Sequence, residues 1–518
     1  MDLLCWLPEI YMIFGVLVLL MYSVQYNAHT FYEKCFSGFK TEGLNSQNNV
    51  LTVQQTRKYN TTNQIDSYVI KAGPSNIITH VNNYIIIWFI SIAFILYNNP
   101  LNNVLLFSGV FLRTQLANGL EIMLFIISAL VLYMGRNTIQ KIAHVEFLIL
   151  ICLCVIGQDL LLISVDLISL YVCLELQTFC LVVLCSINYK SIFNVEAGIK
   201  YFLLSAFSSA LFLAGTSLIY WATGLTNLTA LNTLLPYYQS TFLVFGVWLV
   251  SLSLLWKLSA APLHMWAADV YQGANSIVSL FISTSPKLAV LGFWINIWST
   301  AVHSTSMHEI LIFFSALSLL IGALAALGQV NIKRLMAYSS IAHMGFLLMP
   351  LCQMSGSSSA LITHLILYIL TSIVAWGLIM WPFRRQGSHV ESTPQYLWDY
   401  TFLSKTHPLA TFTWAIVMMS LAGLPPVAGF LGKLYIFLWS LSSHQYTLVG
   451  IAIISTLISS VYYLRLIRIM YIDNKSSYSI FQLMDASTSY LISICVFLLL
   501  LLLLYSSPLV LLSHLLII

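Results

Sequence analysis

Uninterrupted apolar segments of bilayer-spanning length recur from the first residues of the chain to the last. An α-helix needs about 20 apolar residues to cross the hydrocarbon core of a bilayer, and it must satisfy its own backbone hydrogen bonds there. Continuous runs such as CVFLLLLLLLY (495–505) differ from the weak alternation of membrane β-strands. We therefore predict an all-α polytopic membrane protein. The predicted transmembrane helices, about 14 in number, are 7–25, 84–98, 118–134, 144–163, 165–187, 196–222, 243–268, 276–299, 309–328, 334–352, 358–382, 408–441, 446–467 and 488–511.

Composition excludes the water-soluble classes. Asp, Glu, Lys and Arg make up 7% of the 518 residues, whereas a soluble globular domain carries roughly 25%. So little charge cannot cover a water-exposed surface, which excludes a soluble enzyme, a nucleic-acid-binding protein and a disordered chain. The nine cysteines include no CxxC, and several lie inside apolar runs, so we interpret them as small apolar side chains.

The basic residues test the register of the predicted helices. Loops that join an odd-numbered helix to the next even-numbered one hold sixteen of the 21 Lys and Arg residues, and the opposite loops hold only Arg113. Because basic residues collect on the inner side of a membrane, this distribution places both termini outside, in the periplasm or the intermembrane space. Segment 26–83 is then a polar inner loop, which either contacts a partner or is a tolerated insertion.

The four remaining basic residues fall inside predicted helices, and one acidic residue lies at a helix midpoint. They are Glu175, at the midpoint of the fifth helix, and Lys200, Lys257, Lys287 and Lys433. A charge at bilayer depth costs about 2.5–3.5 kcal/mol, so such residues mark ion or proton pathways; a buried ion pair that only fixes helix packing is the alternative. Lys200 lies one turn from the basic end of its helix, where snorkelling to the interface is an equal possibility.

The residue types favour proton transfer. A buried lysine can give up its proton whereas arginine stays charged, and all four intramembrane bases are lysines. His343 and His264 lie in or near predicted helices, and neutral histidine can shuttle protons. For both histidines, an ordinary hydrogen-bonded polar residue in a helix remains the alternative.

Proline residues interrupt two of the helices near these lysines. Pro262 follows Lys257 by five residues in the seventh helix, and Pro425-Pro426 precede Lys433 in the twelfth. Interrupted helices at matching places in two halves of a chain indicate a transport site. Because the two helices are five apart, we predict two inverted five-helix repeats, helices 4–8 and 9–13. The predicted regions are 1–143 (helices 1–3 with the polar loop), 144–299 (first repeat), 309–467 (second repeat) and 468–518 (last loop and helix).

Signatures of resident cofactors are lacking. The sequence has no cysteine cluster suited to an iron–sulfur centre, no GxGxxG after a strand and no P-loop. His343 and His364 each stand alone on a predicted helix, so we expect no bis-histidine haem. We therefore expect no cofactor and no metal in this chain.

Several motifs in order resemble a known family. They are LELQTFCLVVLCSIN (174–188), KLSAAPLHMWAADVYQGANS (257–276), TSPKLA (284–289), GALAALGQVNIKRLMAYSSIAHMGF (322–346) and LAGLPPVAGFLGKLY (421–435). They resemble the subunit 2 family (subunit N in bacteria) of respiratory NADH:ubiquinone oxidoreductase, complex I, over about 170–470. The resemblance implies an antiporter-like subunit of fourteen helices in the proton-pumping membrane arm.

The resemblance also implies roles for individual residues. Glu175 resembles the family's helix-5 glutamate, and Lys257 its paired helix-7 lysine. Lys287 resembles the central lysine of helix 8, His343 the helix-10 histidine, and Lys433 the helix-12 lysine near the outer exit. The sequence departs from the family in its longer first loop and in a less acidic connection after the seventh helix.

Partners and location follow from the same resemblance. We expect other membrane-arm subunits of complex I, including antiporter-like homologues, accessory subunits and lipids, and no nucleic acid. FMN, iron–sulfur clusters and ubiquinone are expected in partner subunits. The expected location is the mitochondrial inner membrane. Two other functions remain open: a subunit of a multi-subunit Na⁺/H⁺ antiporter, and a purely structural subunit. Quinone catalysis by this chain has no supporting motif.

Overall fold

The computed structural model describes residues 5–25, 74–99, 103–142, 144–237, 240–304, 307–352, 358–385, 393–401, 403–473, 479–481 and 484–517. Regular structure in these ranges is mostly helical, and eleven of the described helices are long and apolar enough to cross a membrane. The chain is therefore a multi-pass membrane protein, as the apolar segments predict.

The principal helices follow the predicted segments closely. In chain order they are α1 (Leu7–Gln25), α2 (Pro74–Tyr97), α3 (Gln115–Met134), α4 (Val145–Ile163), α5 (Leu167–Ser186), α6 (Ile192–Thr223), α7a (Thr241–Lys257), α7b (Met265–Gly273), α8 (Ser276–Phe293), α9 (His308–Leu327), α10 (Ile332–Leu351), α11 (Ser358–Ile379), α12a (Pro408–Ala422), α12b (Gly429–Ser442), α13 (Tyr446–Tyr471), α14 (Ala486–Leu504) and α15 (Ser507–Ile517). Shorter helices connect them at Arg136–Ile142, Leu228–Leu234, Ser299–Ser304 and Leu403–Thr406.

Polar side chains and glycines define where several helices begin and end. Thr114, Ser240 and Asn331 precede α3, α7a and α10, and each side chain accepts a backbone N–H of the first turn. These bonds satisfy donors that have no partner inside a helix. Gly224 and Gly423 end α6 and α12a at φ of +70° and +79°, in the left-handed region that glycine adopts without steric cost.

The interruptions predicted in the seventh and twelfth helices are present, and each is wider than a kink. The chain leaves α7a at Lys257 and becomes helical again at Met265; it leaves α12a at Ala422 and resumes at Gly429. A break of this length frees several backbone groups from intrahelical bonding, so polar partners must be supplied nearby.

Two predicted boundaries are wrong. The second helix begins at Pro74, ten residues before the predicted position, because its early turns are amphipathic and packed: Ile78 is buried, and the Asn82 side chain donates to the Leu132 carbonyl of α3. Predicted loop 26–83 therefore contains the start of α2, and its remainder, 26–73, lies outside the described residues. The segment 488–511 is two helices, because Tyr505 is not helical.

Short strands correct the all-α prediction in detail. β1 (Val104–Leu106) pairs antiparallel with β2 (Phe111–Arg113) between α2 and α3. β3 (Phe383–Arg385), after α11, pairs antiparallel with β4 (Ser479–Phe481), which lies between α13 and α14. Each strand has only three residues, so apolar periodicity could not reveal it. The pairs supply hydrogen bonds to connecting backbone that would otherwise lack partners.

Helix α8 lies at the centre of the bundle. Every residue of Ser276–Phe293 is buried, and the helix packs against α3, α4 and α11. Beyond it, α9 packs along α10, α6 along α7a, and α11 against α12b. This arrangement places Lys287 of α8 in the interior and brings α10, α11 and α12b together on one side of it.

Candidate functional site

Lys287 is buried and contacts a tyrosine of the neighbouring helix. Its side chain is 3% exposed, and Nζ lies 3.3 Å from the hydroxyl of Tyr368 on α11, to which it donates. The same Nζ lies 5.3 Å from the centre of the Tyr368 ring. The hydroxyl and the ring face together compensate part of the desolvation of the ammonium group.

Two histidines extend this contact across α10 and α11. The ring of His343 lies 5.3 Å from the Tyr368 ring, and its Nδ1 lies 3.5 Å from Nε2 of His364. Both histidines are at most 5% exposed, and their rings stack at 5.6 Å. Because each imidazole can donate from one nitrogen and accept at the other, the pair can pass a proton between helices.

Lys433 lies near the start of α12b, and its amine reaches back to the end of α12a. Its Nζ donates to the carbonyls of Leu421 and Ala422, at 2.9 and 2.8 Å. These carbonyls end α12a and carry the negative end of its dipole. Phe346 of α10 covers the ammonium group at 5.0 Å from the ring centre and packs on the His364 ring at 6.0 Å. Lys433, 4% exposed, is thus adjacent to the histidine pair.

Glu175 and Lys257 lie on α5 and at the end of α7a, and both are half-buried. Lys257 Nζ donates to the carbonyl of Leu174 at 3.3 Å, and the charge of Glu175 acts on it. Among the described residues no ion pair within 4.0 Å joins Glu175 to Lys257, and no hydrogen bond links either residue to Lys287. The structure therefore brings the Lys257 amine to the backbone beside Glu175.

Lys200 belongs to an ion-pair network. Its Nζ lies 2.6 Å from Glu196, one turn away on α6, and 2.7 Å from Asp269 on α7b. The other oxygen of Asp269 lies 2.7 Å from a guanidinium nitrogen of Arg334 on α10. Asp269 thus bridges two cations from helices on either side of it. The Lys200 side chain is 40% exposed, so this network lies at the edge of the bundle.

His264 and the hydroxyl groups near the lysines make mostly local contacts. His264 is 8% exposed, precedes α7b, and lies 6.5 Å from the ring of Tyr338. It contacts none of the central residues. Ser339 and Ser340 donate to carbonyls of their own helix at 2.7 Å. Their oxygens also interact with tyrosine hydroxyls of other helices, Ser340 with Tyr368 and Ser339 with Tyr463.

The tertiary structure adds residues that the sequence analysis did not select. His364 and Tyr368 are the main additions, and one signal pointed to them: they are four residues apart, so they share a face of α11. The sequence analysis did not assign a role to Asp269 or Arg334, and only the structure shows that they form an ion pair. Arg113 lies in the connection between α2 and α3, as predicted, but it is completely buried and ion-paired there, which the sequence analysis did not predict.

Comparisons with known proteins agree with this architecture. The family model described as NADH:quinone oxidoreductase/Mrp antiporter, TM matches residues 164–459. NADH-ubiquinone oxidoreductase chain 2 of Marchantia polymorpha is 33% identical over 434 residues, 82% of this chain and 85% of that protein. NADH-quinone oxidoreductase subunit N 1 of Rhizobium meliloti is 37% identical over 375 residues, covering 71% and 77% of the two chains.

A solved structure shows the same fold. A chain of respiratory complex I from Thermus thermophilus with bound aureothin superposes with a TM-score of 0.71 at 25% identity, covering 86% of this chain and 95% of that chain. The region that the family model matches, residues 164–459, contains the buried lysines, the histidine pair and both helix breaks. The family resemblance of the sequence is thereby confirmed. The chain belongs to the NADH:quinone oxidoreductase/Mrp antiporter transmembrane family, alongside NADH-ubiquinone oxidoreductase chain 2 and NADH-quinone oxidoreductase subunit N.

Proposed function

We propose that this chain is a proton-translocating membrane-arm subunit of an NADH:quinone oxidoreductase. The relay consists of Glu175, Lys257, Lys287, His343 and Lys433. His364 and Tyr368 complete its central part. Lys200 and His264 lie outside the line of contacts, and we assign Lys200 to the ion-pair network that holds α6, α7b and α10 together.

One observation carries this proposal: titratable groups contact one another from Lys287 on α8 to His364 on α11, and Lys433 on α12b lies one aromatic ring beyond them. Lys287 contacts Tyr368, Tyr368 packs on His343, and His343 faces His364. Phe346 then separates the histidine pair from Lys433 by the thickness of one ring. Groups this deeply buried are costly to charge, and in a membrane such residues generally serve transport.

Electrostatics gives the relay a means of control. The charges of Lys287 and Lys433 both act on His343. Positive charge on either lysine opposes positive charge on the histidine. His343 can therefore accept a proton only when a neighbouring lysine is neutral. Redox energy released in partner subunits would reach this chain as a change of charge or conformation at Glu175 and Lys257. Protons would then pass through Lys287 and the histidines to Lys433.

The organisation of the chain fits two inverted repeats. The break after Lys257 lies in the first predicted repeat and the break before Lys433 in the second, with the lysine on opposite sides of the break. Interrupted helices in corresponding positions of two halves are typical of inverted repeats in transporters. We extend the proposal to fourteen spanning helices, with α7a–α7b and α12a–α12b each crossing as one broken helix.

Location and partners follow from the family. We assign the chain to the mitochondrial inner membrane, with both termini on the intermembrane-space side because the basic loops face inward. Its partners are other membrane-arm subunits, and NADH oxidation, with FMN, iron–sulfur clusters and ubiquinone, belongs to other chains of the complex. The alternative is a subunit of a multi-subunit Na⁺/H⁺ antiporter, because the matching family model also includes Mrp antiporters. Copurification with flavin-containing and iron–sulfur subunits distinguishes the two.

Lys257→Met in the intact complex tests the proposal. Methionine preserves the length of the side chain and removes the titratable amine, so we expect assembly and NADH oxidation to persist while fewer protons are translocated per quinone reduced. Lys190→Met, at an exposed position, is the matched control. An unchanged proton-to-electron ratio in reconstituted Lys257→Met vesicles would remove this residue from the mechanism and favour a structural role.

A further inference from the structure

A second group of buried charges lies among the first four helices, outside the relay. It consists of Glu9 on α1, Arg113 in β2, Glu121 on α3 and Asp159 on α4, each at most 2% exposed. We call these four residues the Arg113 cluster. They come from four elements distant in the sequence, so only the fold assembles them.

Arg113 is the centre of the cluster. Its Nη1 donates to the Cys5 carbonyl at 2.6 Å, and its Nη2 contacts the carboxylates of both Glu9 and Glu121. The Glu9 contact is the shorter of the two, and the Glu121 oxygen lies 3.5 Å away. Glu9 is therefore the direct ionic partner of the guanidinium.

The charges of the cluster do not balance if every group is ionised. Arginine keeps its proton in proteins, so the site carries one fixed positive charge. Three carboxylates would leave two uncompensated negative charges in a site closed to solvent, which is far more costly than holding protons. The ionised pair of Arg113 and Glu9 is neutral, so Glu121 and Asp159 remain as the groups that bind a proton each.

Orphaned oxygen atoms support the same conclusion. Glu9 Oε2, Glu121 Oε1 and Asp159 Oδ1 are buried without a hydrogen-bond partner among the described residues. Asp159 is 1% exposed and lies within electrostatic range of Glu121, Glu9 and Arg113. In the described part of the chain, no three His, Cys, Asp or Glu side chains are arranged to hold a metal ion. The ligand that fits these oxygens is a proton.

We propose that the Arg113 cluster is a second proton-binding site, separate from the relay, in which Glu121 and Asp159 hold protons while Glu9 balances Arg113. A proton bound at Asp159 occupies one carboxylate oxygen and converts the carboxylate to a neutral carboxylic acid. Loss of that proton restores the anion, and no other group is transferred.

A polar seam between α4 and α5 gives this site a route for exchange. Asp159 acts on Cys173 of α5, and at Gly157 the helices approach closely: a side chain there would lie 3.1 Å from the Cys173 carbonyl. The side-chain oxygens of Gln158 and Gln177, on the two facing helices, are buried without partners. The backbone nitrogen of Gln177 lies 3.1 Å from where a side chain at Gly157 would begin, so the seam leads from the cluster to α5.

Matched amide variants in the assembled complex test the proposal. An amide resembles a protonated carboxyl group and cannot ionise. We therefore expect Asp159→Asn and Glu121→Gln to assemble at the wild-type level, and each to lose its share of the infrared carbonyl absorbance of protonated carboxyl groups. Glu9→Gln removes the direct ionic partner of Arg113 and leaves Glu121, at 3.5 Å, to balance the guanidinium. We therefore expect this variant to lower the assembled amount, and to lower that absorbance as well because Glu121 gives up its proton. Glu309→Gln, at an exposed position, should change neither quantity.

Two results would overturn the proposal. One is an unchanged absorbance in both Asp159→Asn and Glu121→Gln. The other is a failure of Asp159→Asn to assemble, because an amide can replace a neutral acid but not an ionised one.

Gln177→Leu tests the seam. We expect the infrared carbonyl band of the protonated carboxyl groups to keep its amplitude and to exchange hydrogen for deuterium more slowly. An unchanged exchange rate would exclude this route. These readings use the resting complex, so they do not depend on whether the relay pumps protons.

Discussion

His343 on α10 and His364 on α11 face each other, with Nδ1 of the first 3.5 Å from Nε2 of the second. Each stands alone on its own helix, and the contact exists because the two helices pack with these faces together. The pair joins Lys287, through Tyr368, to the neighbourhood of Lys433. In the proposed relay, the two halves are connected through His364, a residue that local sequence does not single out.

His364→Asn should interrupt the relay. Asparagine keeps a polar side chain of similar size but cannot accept and release a proton near neutral pH, so we expect proton translocation to fall roughly tenfold or more with assembly retained. Proton uptake by reconstituted vesicles measures this. His444→Asn, at an exposed site, serves as the control. Translocation at the wild-type rate in His364→Asn would show that the proton bypasses α11.

Lys433→Arg should separate the structural role of this residue from its titration. A guanidinium can still donate to the carbonyls of Leu421 and Ala422, so the end of α12a should remain satisfied and the complex should assemble. Because arginine keeps its proton, we expect translocation to be lost. Assembly is measured by native electrophoresis and translocation in vesicles. Continued pumping with arginine would mean that position 433 supplies only a fixed charge.

Asp269→Asn should weaken the network at the edge of the bundle. Asp269 bridges Lys200 and Arg334, and its neutralisation leaves two cations without their shared partner. These side chains are partly exposed, so we expect a loss of about 1 kcal/mol in stability. The loss should shrink at high salt, where exposed charges are screened. Thermal unfolding of the complex at two ionic strengths measures it, and an equal loss at both would argue against an electrostatic origin.

Gly322→Val should disrupt the packing of α9 on α10. A side-chain carbon at this position would lie 2.6 Å from the backbone nitrogen of Ala342, which cannot move without shifting a helix. We expect a loss of about 1–3 kcal/mol, as for overpacked cores. Gly450→Ala is the control, because nothing lies within 4 Å of the added carbon. Equal melting temperatures for the two variants would show that α9 and α10 can separate freely.

The predictable parts of the fold are those set by local composition. Helices such as α1, α4 and α9 begin and end within a residue or so of their apolar segments, because a bilayer-spanning helix must be apolar along its length. The start of α2 was not predictable in this way. Its first turns carry polar residues such as Asn82, which pack against α3 and are paired there, and hydropathy alone assigns such turns to a loop.

In the candidate site, the sequence likewise predicted individual residues but not the contacts between them. Lys257, Lys287 and Lys433 are recognisable because a lysine inside an apolar segment is rare and costly. The sequence could not show that Lys257 donates to a carbonyl beside Glu175 rather than forming a direct ion pair with it. Nor could it show that the Lys433 amine donates to the last carbonyls of α12a. The burial of Arg113 was not predictable for a related reason. A basic residue between two helices resembles an exposed loop residue, and only the packing of α1, α3 and α4 around it removes it from solvent.

The sequence alone determined that the chain crosses a membrane many times, which lysines lie at bilayer depth, and where two helices break. The energetic cost of charge and of unsatisfied backbone in lipid is a local property, so it can be assessed residue by residue. Tertiary structure decided which of these groups meet. Contacts between His343 and His364, or between Arg113 and Glu9, depend on the rotation and crossing of whole helices, which the packing of many side chains sets together.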